Sequence, residues 1–229
     1  MTTIATNLQA VHDRIRHAAW SAGRPASAIA LIAVSKTWPV EKIAEAHVCG
    51  QNAFGENYVQ EALGKIRRLA HLPLEWHFIG PIQSNKTREI AEHFQWVHSV
   101  EREKIARRLN DARPAGLPPL NVCIQVNVSG QASKSGVAPG DELVLARAII
   151  ALPRLRLRGL MAIPEPTPDA ALQRRRFARL RELKDGLVAA GLAPDTLSMG
   201  MSDDLEAAIL EGATMVRVGT AIFGKRRET

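Results

Sequence analysis

The chain is 229 residues long, 46% hydrophobic and 23% charged, with a formal net charge of +7. No apolar stretch reaches the length that a bilayer-spanning helix needs, and aromatics are 4% with no interleaved stacking pattern, so neither a membrane nor a nucleic acid is expected as a partner. Basic pairs such as Arg67-Arg68 and Arg226-Arg227 are scattered as solvated faces, which leaves a small anion as the partner that the charge suits. Cys49 and Cys123 are far apart in apolar contexts, as expected of buried thiols in a reducing, cytoplasmic setting.

In chain order, Ile4, Leu8, Val11, Ile15 and Ala18 recur at helical spacing and predict an amphipathic surface helix rather than a secretory leader. Strand-like runs follow at 29–36, 52–57, 75–80, 95–100, 121–129, 155–164, 195–202 and 214–224. Helical patterns fill the gaps, near 39–49, 57–70, 84–93, 101–112, 139–151, 168–190 and 202–212. Phe177, Leu180, Leu183 and Leu187 give the sixth of these its stripe.

Eight short strands separated by helices imply βαβ units and a parallel sheet. No linker-like composition divides the chain, so a single domain over 1–229 is expected: a (β/α)8 TIM-type barrel with an extra N-terminal helix. That helix could fill the place left after strand eight, closing the bottom or side. A doubly wound open sheet is the alternative, disfavoured by the strand count.

Barrel chemistry sits at the C-terminal strand ends, above an interior expected to be packed with apolar side chains. Lys36 ends the first run, "IALIAVSK", on the face of Ile32 and Val34. Facing inward, its amine would be partly desolvated and nucleophilic; alternatively it reaches out to water. The stretches "LSMGMSDD" and "VRVGTAIFG" place Ser198, Gly200 and Ser202, and Gly219 with Thr220, in the loops after strands seven and eight, where barrels commonly seat a phosphate. Asp203 and Asp204 would repel such an anion unless turned outward.

Arg217, inside strand eight, cannot lose its proton and needs an acceptor, for which Glu56 is a candidate. His77 reads as a core or rim residue, Lys134 in "SGQASKSG" as solvated, and no histidine or cysteine spacing suggests a metal site. A lysine, a phosphate seat and an arginine between them suggest a phosphorylated carbonyl compound held as a Schiff base. A sugar-phosphate aldolase and a carrier of pyridoxal 5′-phosphate (PLP) both fit.

"AVSKTWP", "FGENYVQE", "WHFIGPIQSNK", "GLMAIP", "LSMGMSDD" and "VRVGTAIFG", spread from about residue 5 to 225, together resemble the pyridoxal phosphate homeostasis protein family. These are barrels similar to the N-terminal domain of alanine racemase. The resemblance implies PLP as cofactor, bound through Lys36 as a Schiff base. It also implies phosphate-holding positions at Ser198, Gly219 and Thr220 with Met199 and Gly200 in the same loop, Arg217 facing the pyridine nitrogen, and Asn57 and His77 near the cofactor. Trp38 stands where relatives often have a second lysine, which puts any auxiliary transfer through that amine in doubt.

A cation at the pyridine nitrogen keeps it unprotonated and makes the ring a poor electron sink. Racemisation needs a second base, a tyrosine of an additional domain in alanine racemases. The single tyrosine here, Tyr58, sits at a helix start after strand two. The resemblance therefore implies a non-enzymatic, monomeric protein of intracellular PLP supply, with PLP-dependent apo-enzymes as recipients. An amino-acid racemase is the alternative.

Overall fold

The structure, a computed structural model, describes residues 3–130 and 135–224. Helix α1 (Ile4–Ser21) leads into β1 (Ala30–Val34), α2 (Val40–Val48), β2 (Ala53–Glu56), α3 (Val59–Arg68), β3 (Glu75–Phe78), α4 (Thr87–His93), β4 (Trp96–Val100) and α5 (Glu103–Ala112). The second half runs β5 (Leu120–Gln125), α6 (Glu142–Ile150), β6 (Leu155–Met161), α7 (Ala170–Ala189), β7 (Thr196–Ser198), α8 (Leu205–Leu210), β8 (Met215–Val218) and α9 (Thr220–Phe223). The strands close in sequence order into a parallel barrel, and pairing of β1 with β8 rules out the open sheet. Lys134 lies outside the described residues.

Helix α1 starts because the Thr3 hydroxyl accepts from the Thr6 N–H, and it buries Ile4, Leu8, Val11, Ile15 and Ala18, the stripe that its spacing predicts. It packs on the side of the barrel, against α2, α8 and α9. Arg14 clamps it there, its guanidinium donating to both carboxylate oxygens of Glu206 at 2.6 and 2.8 Å and to the Ser202 carbonyl at 2.8 Å. Helix α7 is capped by Asp169, which accepts from Ala171 and Leu172 N–H groups, and buries Phe177, Leu180, Leu183 and Leu187.

Two apolar regions result. The larger lies between barrel and helices and includes Phe54, Phe78, Phe94 and Phe177, all fully or almost fully buried. Burying one such ring is worth about 1.5–3 kcal/mol, so this layer dominates the folding energy. The smaller, inside the barrel, is Ile32, Trp96, Cys123, Met161 and Met215. It shares that space with buried His77, His98, Ser198 and Arg217, so the interior is not the all-apolar filling that barrel precedent predicts.

Several strands are shorter than their apolar runs. The run 29–36 leaves the sheet at Val34, and the run 214–224 leaves it at Val218, where Gly219 turns the chain into the one-turn α9. Between β5 and β6 the register slips at Val122 and Cys123, which face Leu157 and Gly159. On its other side Gly159 lies directly against β7, since a Cβ there would stand 1.9 Å from the Thr196 carbonyl oxygen. Gly159→Ala must therefore push β7 away from β6. The expected loss is roughly 1–3 kcal/mol, read as a fall in Tm of roughly 5 °C by calorimetry; an unchanged Tm would refute the contact.

Candidate functional site at the barrel mouth

Lys36 does not sit within β1; it occupies a turn just beyond the strand, half-buried at the C-terminal rim. The turn is clamped from outside the barrel. Lys65 of α3 donates to the Ser35 carbonyl at 2.7 Å, to Glu56 Oε1 at 2.7 Å and to Glu61 Oε1 at 2.5 Å. The Ser35 hydroxyl donates to Glu56 Oε1 at 2.6 Å, and the Thr37 N–H donates to Glu61 Oε1 at 2.5 Å. Thr37 has φ 68°, a left-handed conformation that a β-branched residue adopts only under constraint. Burial pushes the Glu56 carboxyl up from its ordinary value, against the pull of Lys65.

The expected pairing of Glu56 with Arg217 is not made. Gly55 faces the barrel interior, where a Cβ would touch Ile32 and Ile79, so the next residue, Glu56, faces the helices. Arg217 lies inside, on the same face of β8 as Met215. Its guanidinium donates to Ser198 Oγ at 2.6 Å and to the Ala162 carbonyl at 2.8 Å. Burial lowers Arg217 to about 10, which leaves it charged at neutral pH.

The loops after β7 and β8 meet beside the Lys36 turn. A Cβ on Gly219 would lie 3.2 Å from the Val34 carbonyl oxygen, two residues before Lys36. The Ala221 N–H donates to Ser202 Oγ at 3.4 Å, linking the two loops, and Thr220 is exposed at their corner. Gly200, at φ 93°, lets the first loop press on α8, where a Cβ would meet the Ala208 Cβ at 2.6 Å. Asp203 is exposed, and Asp204 accepts from the Met201 N–H at 2.6 Å, so that carboxylate is engaged within its own loop.

Other expected site residues are placed differently. Ser198 is fully buried, its hydroxyl between Arg217 and His98, at 2.7 Å from His98 Nδ1. Met199 packs its side chain in the barrel–helix layer and donates its N–H to the Met215 carbonyl at 3.1 Å. His77 is fully buried, with Nδ1 at 2.9 Å from His98 Nε2 and Nε2 at 2.9 Å from Glu75 Oε1. Asn57 lies at the end of β2, half-buried, with its Oδ1 buried and unpartnered among the described residues. Gly80 closes over it, since a Cβ there would stand 2.3 Å from the Asn57 carbonyl oxygen. Trp38 stacks on Phe223 at 5.8 Å, and Tyr58 is 57% exposed.

Glu75 and His98 escaped the sequence reading as site residues, whereas Ser202 was expected in the phosphate loop. Polar or aromatic groups two apart on one face, Glu75 with His77 in "EWHF" and Trp96 with His98 in "WVHSV", were the signals in the sequence. Together the mouth offers a half-buried lysine, an amide oxygen unpartnered among the described residues, a half-buried glycine beside an exposed threonine, and a buried cation. That set fits a phosphorylated aldehyde.

The fold and this site define a barrel of the alanine racemase N-terminal domain class, and the model of that domain matches residues 6–227. A pyridoxal phosphate homeostasis protein of Pseudomonas aeruginosa is 67% identical over 226 residues, covering 99% of this chain and 97% of that one. PipY of Synechococcus elongatus, solved with PLP bound, superposes with a TM-score of 0.84 at 38% identity over 97% of this chain and 100% of that one. An alanine racemase of Clostridium difficile shares the fold, at TM-score 0.75 and 15% identity, over 99% of this chain and 57% of that one. The chain belongs to the pyridoxal phosphate homeostasis protein family.

Burial holds the His77 and His98 imidazoles below their ordinary value of about 6.5, His98 well below. As pH falls through about 6.5, the unfolded chain takes up protons on both groups more readily than the folded chain does. Stability is therefore full above that pH and lost below it. Urea titrations should show stability falling between pH 7.5 and 5.5, and a smaller fall in His98→Asn. Equal pH dependence in the two proteins would contradict the neutral buried pair.

Proposed function

We propose that the chain binds pyridoxal 5′-phosphate at the barrel mouth, held on Lys36 as a Schiff base, and serves the intracellular balance of that cofactor without catalysing a reaction of its own. The observation that carries this reading is the contact of Gly219 with Val34, which sets a small, exposed corner beside the turn bearing the amine. Gly219 and Thr220 with the neighbouring Ser202 receive the phosphate, Gly200 letting their loop close on α8. Asn57, with its unpartnered Oδ1, meets a polar edge of the ring. Ser198 and His77 act from behind, through Arg217, and Met199 by packing its loop.

Bound there, the cofactor supplies an aldehyde that condenses with amines and a ring that draws electrons when its nitrogen is protonated. Arg217 carries donors only and would meet that nitrogen, offering a hydrogen bond without surrendering a proton. A donor-only partner there would leave the ring a poor electron sink, favouring holding and release over chemistry at a bound amino acid. Tyr58, exposed at the start of α3, is poorly placed as a second base. The protein works in the cytoplasm as a monomer and passes the cofactor to PLP-dependent apo-enzymes.

Purified protein mixed with PLP should gain a visible absorbance band that Lys36→Ala lacks; an unchanged band in the variant would sink the assignment. The racemase alternative is checked by α-proton exchange across a panel of amino acids in deuterated water. No exchange is expected.

A further inference from the structure

We propose that Glu75, His77 and His98 are positioning residues for Arg217: from the floor of the barrel they dictate which way the Ser198 hydroxyl points, and so fix the guanidinium at the mouth. The supporting contacts form one unbroken file. It runs from Arg217 Nη1 to Ser198 Oγ at 2.6 Å, from Ser198 Oγ to His98 Nδ1 at 2.7 Å, from His98 Nε2 to His77 Nδ1 at 2.9 Å, and from His77 Nε2 to Glu75 Oε1 at 2.9 Å. Glu75 begins β3 and Ser198 ends β7, so the file crosses from the N-terminal face of the barrel to the C-terminal one.

With the ends charged and both buried imidazoles neutral, one proton arrangement satisfies every contact. The two ends are charged, and each interior member is neutral with a single polar hydrogen to give along the file. The Glu75 carboxyl, 49% exposed, is held below its ordinary value by the His77 hydrogen bond, so it accepts. His77 then carries its hydrogen on Nε2, and its Nδ1 must accept. His98 consequently carries its hydrogen on Nε2, and its Nδ1 accepts from the Ser198 hydroxyl. Ser198 is left with lone pairs toward Arg217, which has donors only. All four bonds donate in one direction, toward Glu75.

Reversal is costly. With a hydrogen on His98 Nδ1, both lone pairs of Ser198 would be taken by donors and its own hydroxyl hydrogen would be left without an acceptor in a fully buried site. A second proton on His98 would place a cation one residue from Arg217 along the file. The surroundings reinforce this polarity. His77 stacks on Trp96 at 5.5 Å, and Arg158 covers the same indole at 4.6 Å while paired with Asp195 at 2.8 Å. The floor thus presents Arg158, Asp195 and Glu75, and the mouth side Arg217 with Asp204 acting on it at longer range.

The test begins on the ligand-free, 15N-labelled full chain, with histidine tautomers and arginine side-chain N–H exchange read by NMR. Both histidines should be neutral and hydrogen-bearing at Nε2. Glu75→Leu, which removes the acceptor at the floor, should move His98 toward the Nδ1–H form and speed exchange at Arg217 by about tenfold, the scale of one hydrogen bond to a charged group. Glu75→Gln keeps a carbonyl acceptor and should restore the wild-type pattern.

Unchanged tautomers in Glu75→Leu, or changed tautomers with Arg217 exchange unaltered, would overturn the proposal. Added PLP then links the file to the reading above, on which this last step rests. Glu75→Leu should bind it about tenfold more weakly than wild type while Glu75→Gln does not. If wild type binds no PLP, that reading fails while the NMR result still decides the file.

Discussion

A guanidinium locked inside a barrel sets the terms for the rest of this molecule. Arg217 cannot shed its proton at neutral pH, and burying a cation without acceptors costs several kcal/mol. The chain answers with oxygens from two neighbouring strands: the Ser198 hydroxyl at the end of β7 and the Ala162 carbonyl just past β6. Each acceptor must itself be oriented, and Ser198 is oriented only because His98 takes its hydrogen. Polar residues therefore displace the apolar layers that fill an ordinary barrel, and the apolar remainder shrinks to the small cluster around Ile32, Trp96 and Met161. The energy that this interior forgoes is supplied by the aromatic-rich layer under the helices.

A second buried cation shows the opposite use of the same physics. The Lys65 ammonium is surrounded by the Ser35 carbonyl and the Glu56 and Glu61 carboxylates, so its three donors are all engaged. Such an amine is scaffolding. It ties α3 to the turn after β1 and holds Thr37 in its strained conformation. Lys36, carried by that turn, has its backbone fixed from both sides while its side chain lies at the rim. Two lysines thus divide two tasks: one anchors the backbone, and the other presents an amine at the rim.

Much of the fold was legible because it is written locally. The α1 stripe and the Phe177–Leu187 pattern repeat within a few turns, and eight apolar runs at regular spacing need only arithmetic to suggest a barrel. Faces were harder. Strands of a parallel barrel are apolar on both sides, so nothing in "NAFGEN" says that Glu56 looks toward α3 and Gly55 toward the interior. The expected Glu56–Arg217 pair failed on that point. Strand ends were blurred as well, since the turn after Val34 is imposed by Glu61 and Lys65, residues 24 and more positions away. The file escaped notice because its members belong to four strands, with His98 and Ser198 100 residues apart.

Those separations also explain why the mouth and floor of this barrel form one electrical unit. In a barrel packed with apolar layers the two faces are insulated, and a charge placed at the bottom affects only stability. Here a carboxylate at the start of β3 is joined to a guanidinium in β8 by four hydrogen bonds whose direction it sets. Each neutral link passes on orientation without passing on charge, so the effect does not decay as a screened Coulomb interaction would over the same span. A site built this way can leave its rim open to solvent and still keep its central cation in register, because the restraint comes from below, and a ligand can enter and leave without dismantling what positions it.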